Sequence, residues 1–319
     1  MIETVVELIR EDPKAAALLP DQVHALLLRG GPSGSRVSLL LFTASNGSPV
    51  LHAKLGHGEA TRARLRHEYT QLCAVAALPE VATTVPCPVA VLESGDATIL
   101  VQAAVQGTPL TVLMRRRVSS SAWVGRDLRD ALRWLAKLQA STRTGVRPAV
   151  DPAGLYGRLT QVLPGGSFRG FRDQVAETAD RHASLSLPVV RRHGDFWPGN
   201  LLRGRGSIAV VDWEHSDAEA SPMDDLFFFL TAYGYAQPGR RWAQRSRVEA
   251  FQAAWLGEGA LASACTKAAL HFAGTMDVPD AAVQVLLVQF LLAMIERPVC
   301  GQDHEWWQML AGYAAGGAR

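Results

Sequence analysis

His193-Gly194-Asp195-Phe196-Trp197-Pro198-Gly199-Asn200-Leu201-Leu202 is the segment on which the reading of this chain turns. It continues through the turn Arg203-Gly204-Arg205-Gly206 and the apolar run Ser207-Ile208-Ala209-Val210-Val211, and ends on Asp212-Trp213-Glu214. Asp195 and Asn200 stand five apart in a loop shaped by Pro198 and Gly199, so both can point into one cleft. Asp212, at the end of the next apolar strand, can face them. Two carboxylates and a carboxamide oxygen are hard ligands suited to Mg²⁺, with one group left over to accept a proton. Phosphoryl transfer needs that set: metal on the phosphates and a base at the acceptor hydroxyl. At average residue usage, the four fixed letters of H-G-D-x-x-x-x-N arise by chance in roughly one chain in a thousand of this length.

Working outward, the hydrophobic period divides the chain in two. Residues 2–19 have helical spacing, with Pro20 as a stop. Residues 23–29, 37–42 and 50–55 are short apolar runs separated by the turn signals 30–35 and 45–49. Residues 59–77 return to helical spacing, and 89–92 and 98–103 are strand-like again. The order over 23–103 is therefore β-β-β-α-β-β. Beyond Gly107-Thr108-Pro109 the pattern turns helical, at 127–141, 171–185, 223–236, 244–256, 259–273, 279–296 and 303–314. A β interlude falls at 189–213, and the Gly-, Pro- and Arg-rich stretch 143–170 reads as a loop or insertion. The expected organisation is α+β and bilobal: a β-rich N-lobe over 1–104 with one long helix, and a mostly helical C-lobe over 105–319.

The 193–214 pattern is similar to the protein-kinase H-R-D-x-x-x-x-N loop followed by D-F-G. With Gly194 in place of Arg and Asp212-Trp213-Glu214 in place of Asp-Phe-Gly, it resembles the aminoglycoside phosphotransferase/choline kinase family. The resemblance covers most of the chain, because β-rich lobe, hinge and helical lobe fall in the expected order. It implies a protein-kinase-like fold and a Mg-dependent phosphotransferase with an alcohol group as acceptor. Asp195 matches the catalytic base, Asn200 and Asp212 the magnesium ligands, and His193 a structural residue bracing the loop.

The same resemblance makes the small lobe a nucleotide clamp for ATP or GTP. Lys54, in the third strand, matches the lysine on the α/β-phosphates. A lysine inside an apolar strand is costly unless its charge is engaged, and Glu68, 14 residues on, is the expected partner. The loop that includes Ser33, Gly34 and Ser35 can sit over phosphates; a plain hairpin turn fits it equally. Residues 101–107 run where a hinge is expected, so Ala103 and Val105 would read the base through their backbone. Downstream, Asp224 and Asp225 match an acidic element that supports the loop or lies near the acceptor; helix N-terminal acids are the alternative. Glu214 and Asp217 follow the metal ligand closely enough to reach an acceptor, or are solvent-facing loop acids. Phe227–Phe229 and Trp306-Trp307 read as core before they read as a stacking box.

Composition sets the remaining bounds. Net charge is +2 from 32 Lys+Arg and 30 Asp+Glu, which excludes a general polycation coat for nucleic acid. Only four residues are lysine, which sharpens the reading of Lys54. Cys73, Cys87, Cys265 and Cys300 form no zinc spacing and read as free thiols of a cytoplasmic protein. The start of the chain has no cationic segment followed by an apolar run, so no signal peptide is expected. The uncharged apolar stretch 281–295 is too short to span a bilayer. The expected partners are a nucleoside triphosphate and a small-molecule hydroxyl acceptor, with no nucleic acid or membrane, for a monomer or homodimer.

The resemblance spans aminoglycosides, other antibiotics, choline, ethanolamine, homoserine and sugars. Residues 212–225 hold six acids and no Lys or Arg, a wall that would attract a cation. Against it, the chain after residue 107 has 24 Lys+Arg and 20 Asp+Glu, more basic than a polycation site wants. An antibiotic-like acceptor (aminoglycoside, nucleoside or peptide antibiotic), in resistance or self-resistance, is the leading expectation. A metabolic kinase of a sugar or amino alcohol, and a non-catalytic pseudokinase-like binder, are the alternatives.

Overall fold

Alternation along one strand, β3 (Pro49–His57), organises the first half of the protein. Its odd residues Leu51, Ala53 and Leu55 are buried in an apolar core with Leu39, Leu41, Ile99 and Val101. Its even residues His52 and Lys54 point to the opposite face, because strand side chains alternate. The computed structural model describes residues 2–19, 21–28, 36–43, 47–117, 120–204, 206–236, 246–297 and 303–316.

Contacts within the chain define two units, 1–109 with 200–216, and 110–199 with 217–319. The first holds α1 (Ile2–Glu11), α2 (Pro13–Ala16), β1 (Val23–Leu28), β2 (Arg36–Thr43), β3, α3 (Glu59–Ala76), β4 (Pro88–Ser94) and β5 (Ala97–Ala103). The strands form one antiparallel sheet in the order β1-β2-β3-β5-β4. Val5 and Ile9 of α1 close the core on the Leu51 face. Helix α3 packs on β3, β4 and β5. Its buried stripe is Leu65, Glu68, Leu72 and Val75, at helical spacing, so a carboxylate sits among apolar residues. A second small sheet in this unit pairs β6 (Thr108–Pro109) with β9 (Leu201–Arg203), and β9 with β10 (Ile208–Val210). The helix expected over 2–19 is broken by Asp12-Pro13. The Asp12 carboxylate accepts from the amides of Lys14 and Ala15 at 3.0 and 2.9 Å and starts α2 afresh.

The second unit contains α4 (Leu110–Arg116), α5 (Ser121–Ser141), β7 (Gly145–Pro148), α6 (Pro152–Val162), α7 (Arg169–Arg181), β8 (Ser186–Arg192) and β11 (Asp217–Ala220). It continues with α8 (Asp224–Ala236), α9 (Arg247–Trp255), α10 (Ala260–Thr275), α11 (Asp280–Glu296) and α12 (Asp303–Gly316). The stretch 143–170 is not a loop. Strand β7 pairs with β8, and Asp151 caps α6, accepting from the Gly154 amide at 3.2 Å with Pro152 in the first turn. Leu155 and Leu159 then bury that helix, so two apolar residues outweigh the surrounding Gly and Pro. Among the described residues no single helix is long and apolar enough to cross a membrane. Helices α10 and α11 pass that test only as a pair bent by 106°, and much of α11 is buried inside this unit. Cys73, Cys87 and Cys265 are free thiols, and Cys300 lies outside the described residues.

Candidate functional site

In the first unit the site grows from Lys54. Its side chain is 3% exposed, and Nζ donates to Glu68 Oε1 at 2.5 Å and to Asp212 Oδ1 at 2.6 Å. Burial alone would pull the lysine pKa down; the two carboxylates outweigh it and hold the pKa above its ordinary value. Glu68 is 0% exposed, and its Oε1 also accepts from the Trp213 amide at 3.3 Å. The Trp213 ring is buried and its indole donates to the Val210 carbonyl at 3.2 Å, which pins the residue after Asp212. Asp212 itself adopts φ +70, a region a non-glycine residue enters at a cost, and such strain gathers at functional positions. The β9–β10 register extends to Val211, whose amide donates to the Asn200 carbonyl at 3.0 Å. Asn200 and Asp212 therefore leave the same end of one hairpin.

Two further features of this unit were not read from the sequence. Arg36, the first residue of β2, forms an ion pair with Glu214 and stands 3.9 Å from Asp212. Burial opposes its charge, but Glu214 and Asp212 outweigh that and raise its pKa. Glu214 is thus an ion-pair partner within this unit. On the Lys54 face of the sheet, Gln102 donates its amide to His52 Nδ1 at 3.0 Å, which leaves the proton on Nε2. Burial and then Lys54 push the His52 pKa down to about 3, so the ring is neutral. His52 Nε2 and Gln102 Oε1 are buried and have no hydrogen-bond partner among the described residues. Ala103 donates its amide to the Cys87 carbonyl at 2.8 Å. Val105 lies half-buried in the connection from β5 to β6. Ser33, Gly34 and Ser35 lie outside the described residues.

In the second unit the loop 193–199 leaves the end of β8. Asp225, in the first turn of α8, accepts from the backbone amides of His193 and Gly194 at 2.6 and 2.9 Å. Burial pushes its carboxyl up to about 6, against the pull of those two amides. His193 is buried, and its Nδ1 accepts from the Asp195 amide at 3.3 Å. Phe196 is buried against Trp134 and Phe229, ring centroids 5.8 and 5.4 Å away. Gly194 sits at φ +80, and a Cβ on Gly199 would lie 2.2 Å from the Trp197 ring, so both glycines are required by the path of the loop. Within this braced loop Asp195 is half-buried.

Asp195 lines a cavity of about 320 Å³ with Trp197, Phe228, Tyr235, Arg247 and Trp306. None of Asp217, Asp224 and Asp225 lines it. Arg192 binds Asp217 at 3.3 Å and Asp224 at 3.2 Å. The acidic run 212–225 is therefore not a bare anionic wall: Arg36 answers Glu214, Arg192 answers Asp217 and Asp224, and Asp225 faces backbone donors. The aromatic residues divide. Phe227 and Phe229 are core as expected, whereas Phe228 and Trp306 line the cavity as well as packing. The Trp307 indole donates to the Val162 carbonyl at 2.8 Å.

The profile of the phosphotransferase enzyme family matches residues 32–264. No curated protein matches the sequence. Among solved structures, the GDP complex of aminoglycoside 2'-phosphotransferase-IIIa is similar over 99% of each chain, with 15% identity and a TM-score of 0.57. The GDP and kanamycin complex of that type of enzyme has a TM-score of 0.54 at 15% identity, over 98% of this chain and 97% of the other. Amicoumacin kinase with AMP-PNP and Ca²⁺ has a TM-score of 0.52 at 15% identity, over 99% and 95%. These likenesses show the protein-kinase-like fold. The matched residues 32–264 take in Lys54, Glu68, the loop 193–200 and Asp212, and the chain belongs to the phosphotransferase enzyme family.

Proposed function

We propose that the protein transfers the γ-phosphoryl group of ATP or GTP to a hydroxyl of an antibiotic-like small molecule. The observation that carries this reading is the buried ammonium of Lys54, held between Glu68 and Asp212. Glu68 is fully buried and keeps the lysine in place, while Asp212 is 26% exposed and can exchange it for phosphate oxygens. His52 Nε2 and Gln102 Oε1 add a buried donor and acceptor on the same sheet face, suited to the polar edge of a base. The nucleotide complexes of the similar structures support the same assignment.

Asp212 and Asn200 fit Mg²⁺ by donor chemistry, one carboxylate and one carboxamide oxygen at one hairpin end, since Mg²⁺ fills its other positions with water and phosphate oxygens. The ion, when bound, would offset negative charge on the phosphates. Asp195 accepts the proton of the acceptor hydroxyl. The freed oxygen forms a bond to the γ-phosphorus, the bond from that phosphorus to the β–γ bridging oxygen breaks, and the nucleoside diphosphate leaves with the electron pair. Asp225, through the amides of His193 and Gly194, holds Asp195 in position for this.

A nucleotide-consumption screen with ATP and with GTP, against antibiotics and hydroxylated metabolites, tests the proposal. The expected result is acceptor-dependent turnover with a product heavier by one phosphoryl group, lost in Asp195→Ala. Turnover that survives in Asp195→Ala, or absence of binding of either nucleotide with Mg²⁺, would refute it.

A further inference from the structure

The acceptor's chemistry can be read from the cavity walls, on the reading that Asp195 is the base of a phosphotransferase. We propose that this cavity takes a hydroxyl-bearing molecule with a flat aromatic body and at most one positive charge. It would not take a polyamine sugar or a small quaternary ammonium alcohol.

The walls carry the argument. Trp197, Phe228, Tyr235, Trp306 and Met309 line it, so most of what a ligand meets is aromatic or apolar. Stacked or edge-on aromatic contacts favour a flat ring beyond what area burial alone gives. Among the described residues, Asp195 is the one carboxylate in the lining. Each further amine buried without a partner would carry an uncompensated desolvation cost. Three acids of the 217–225 run are already engaged, Asp217 and Asp224 by Arg192 and Asp225 by two amides. The other charged residue of the described lining is a cation, Arg247, which pairs with Glu305 at 3.3 Å and lies 5.6 Å from the Tyr235 ring centroid. A second cation brought to the Tyr235 ring would meet that guanidinium, whereas a neutral ring would not be repelled by it. A volume of about 320 Å³ suits a ring system rather than a single small head group.

The test is a calorimetric titration of the full chain with three probes, which needs no turnover. Puromycin represents the proposed class, with aromatic rings, free hydroxyls and a single amine. Kanamycin represents the polyamines, and choline the small cations. Puromycin is expected to bind saturably, and at least about tenfold more tightly than the other two, a gap of about 1.4 kcal/mol. Tyr235→Ser and Phe228→Ala should each weaken puromycin by at least about tenfold, while Tyr156→Ser, an exposed tyrosine outside the lining, should not. Tyr235 is 48% exposed, so its replacement leaves folding intact and keeps the test decisive if Phe228→Ala unfolds. Absence of saturable puromycin binding, tighter kanamycin or choline, or unchanged affinity in Tyr235→Ser overturns the proposal. Nucleotide binding measured on the same sample separates the two claims. Loss of ATP and GTP binding with puromycin retained sinks the phosphotransferase reading alone, and the converse sinks the acceptor class alone.

Discussion

Replacing Glu68 by Leu should destabilise the protein more than replacing Glu68 and Lys54 together. The two charges stand 2.5 Å apart with side chains 0% and 3% exposed. At an effective dielectric near 20 such a pair attracts by about 6–7 kcal/mol. Desolvation of each ion costs several kcal/mol, so the intact pair contributes little net stability. Removing one partner is different, because the other is left buried and charged, typically at about 3–5 kcal/mol. In Glu68→Leu the lysine keeps Asp212 at 2.6 Å, but that carboxylate is 26% exposed and partly screened. The Trp213 amide also loses its acceptor, adding about 1 kcal/mol. The expected cost is about 3 kcal/mol, at the lower end of the range. Lys54→Met should cost about 2–3 kcal/mol, limited because burial favours a proton on the stranded Glu68. The double variant Lys54→Met/Glu68→Leu should cost no more than the larger single change, giving a coupling of about 2–3 kcal/mol. Urea unfolding followed by far-UV circular dichroism at neutral pH measures all four corners. Additivity within about 0.5 kcal/mol would refute a coupled buried pair.

Three other changes probe the remaining parts. Asp195→Asn should lower kcat by about 10²–10⁴-fold and leave nucleotide affinity unchanged; near wild-type turnover would remove it as the base. Asp212→Ala should abolish Mg²⁺-supported turnover and Asn200→Ala should raise the Mg²⁺ concentration required, and an unaltered Mg²⁺ titration in both contradicts the ligand assignment. Asp225 has a folded pKa of about 6, above its ordinary value. Its contribution to stability is therefore greatest below pH about 4 and is lost as pH rises through about 6. Asp225→Asn should flatten the melting temperature between those pH values, read by calorimetry, and a slope that persists would place its origin in another group.

The order of helices and strands was readable wherever local period and burial agree. Residues 50–55 alternate because one face of β3 meets α1 and the other carries His52 and Lys54. Glu68 was readable as the partner that a lysine inside an apolar strand requires, 14 residues on, and the fold adds that it lies on the buried stripe of Leu65 and Leu72. The stretch 143–170 was misread because its composition favours turns, while the Asp151-Pro152 cap and the pairing of β7 with β8 decide its structure. Arg36 carried no local signal, since its partner Glu214 lies 178 residues away.

What the sequence by itself determined is the placement of the candidate groups set by short spacing: Asp195 and Asn200 on one loop, Asp212 at the end of the following strand, and a lysine on the polar face of an alternating strand. These positions follow from loop length and the two-residue period of a strand, both properties of contiguous chain. Only the tertiary structure decided what the acids between residues 212 and 225 do. Their run reads as an anionic wall until Arg192, 25 residues from Asp217, is seen to bind both Asp217 and Asp224. The same holds for the cavity beside Asp195, whose walls come from α8, α9 and α12. The charge a substrate meets depends on which groups stand opposite one another across the fold, and no local period encodes that.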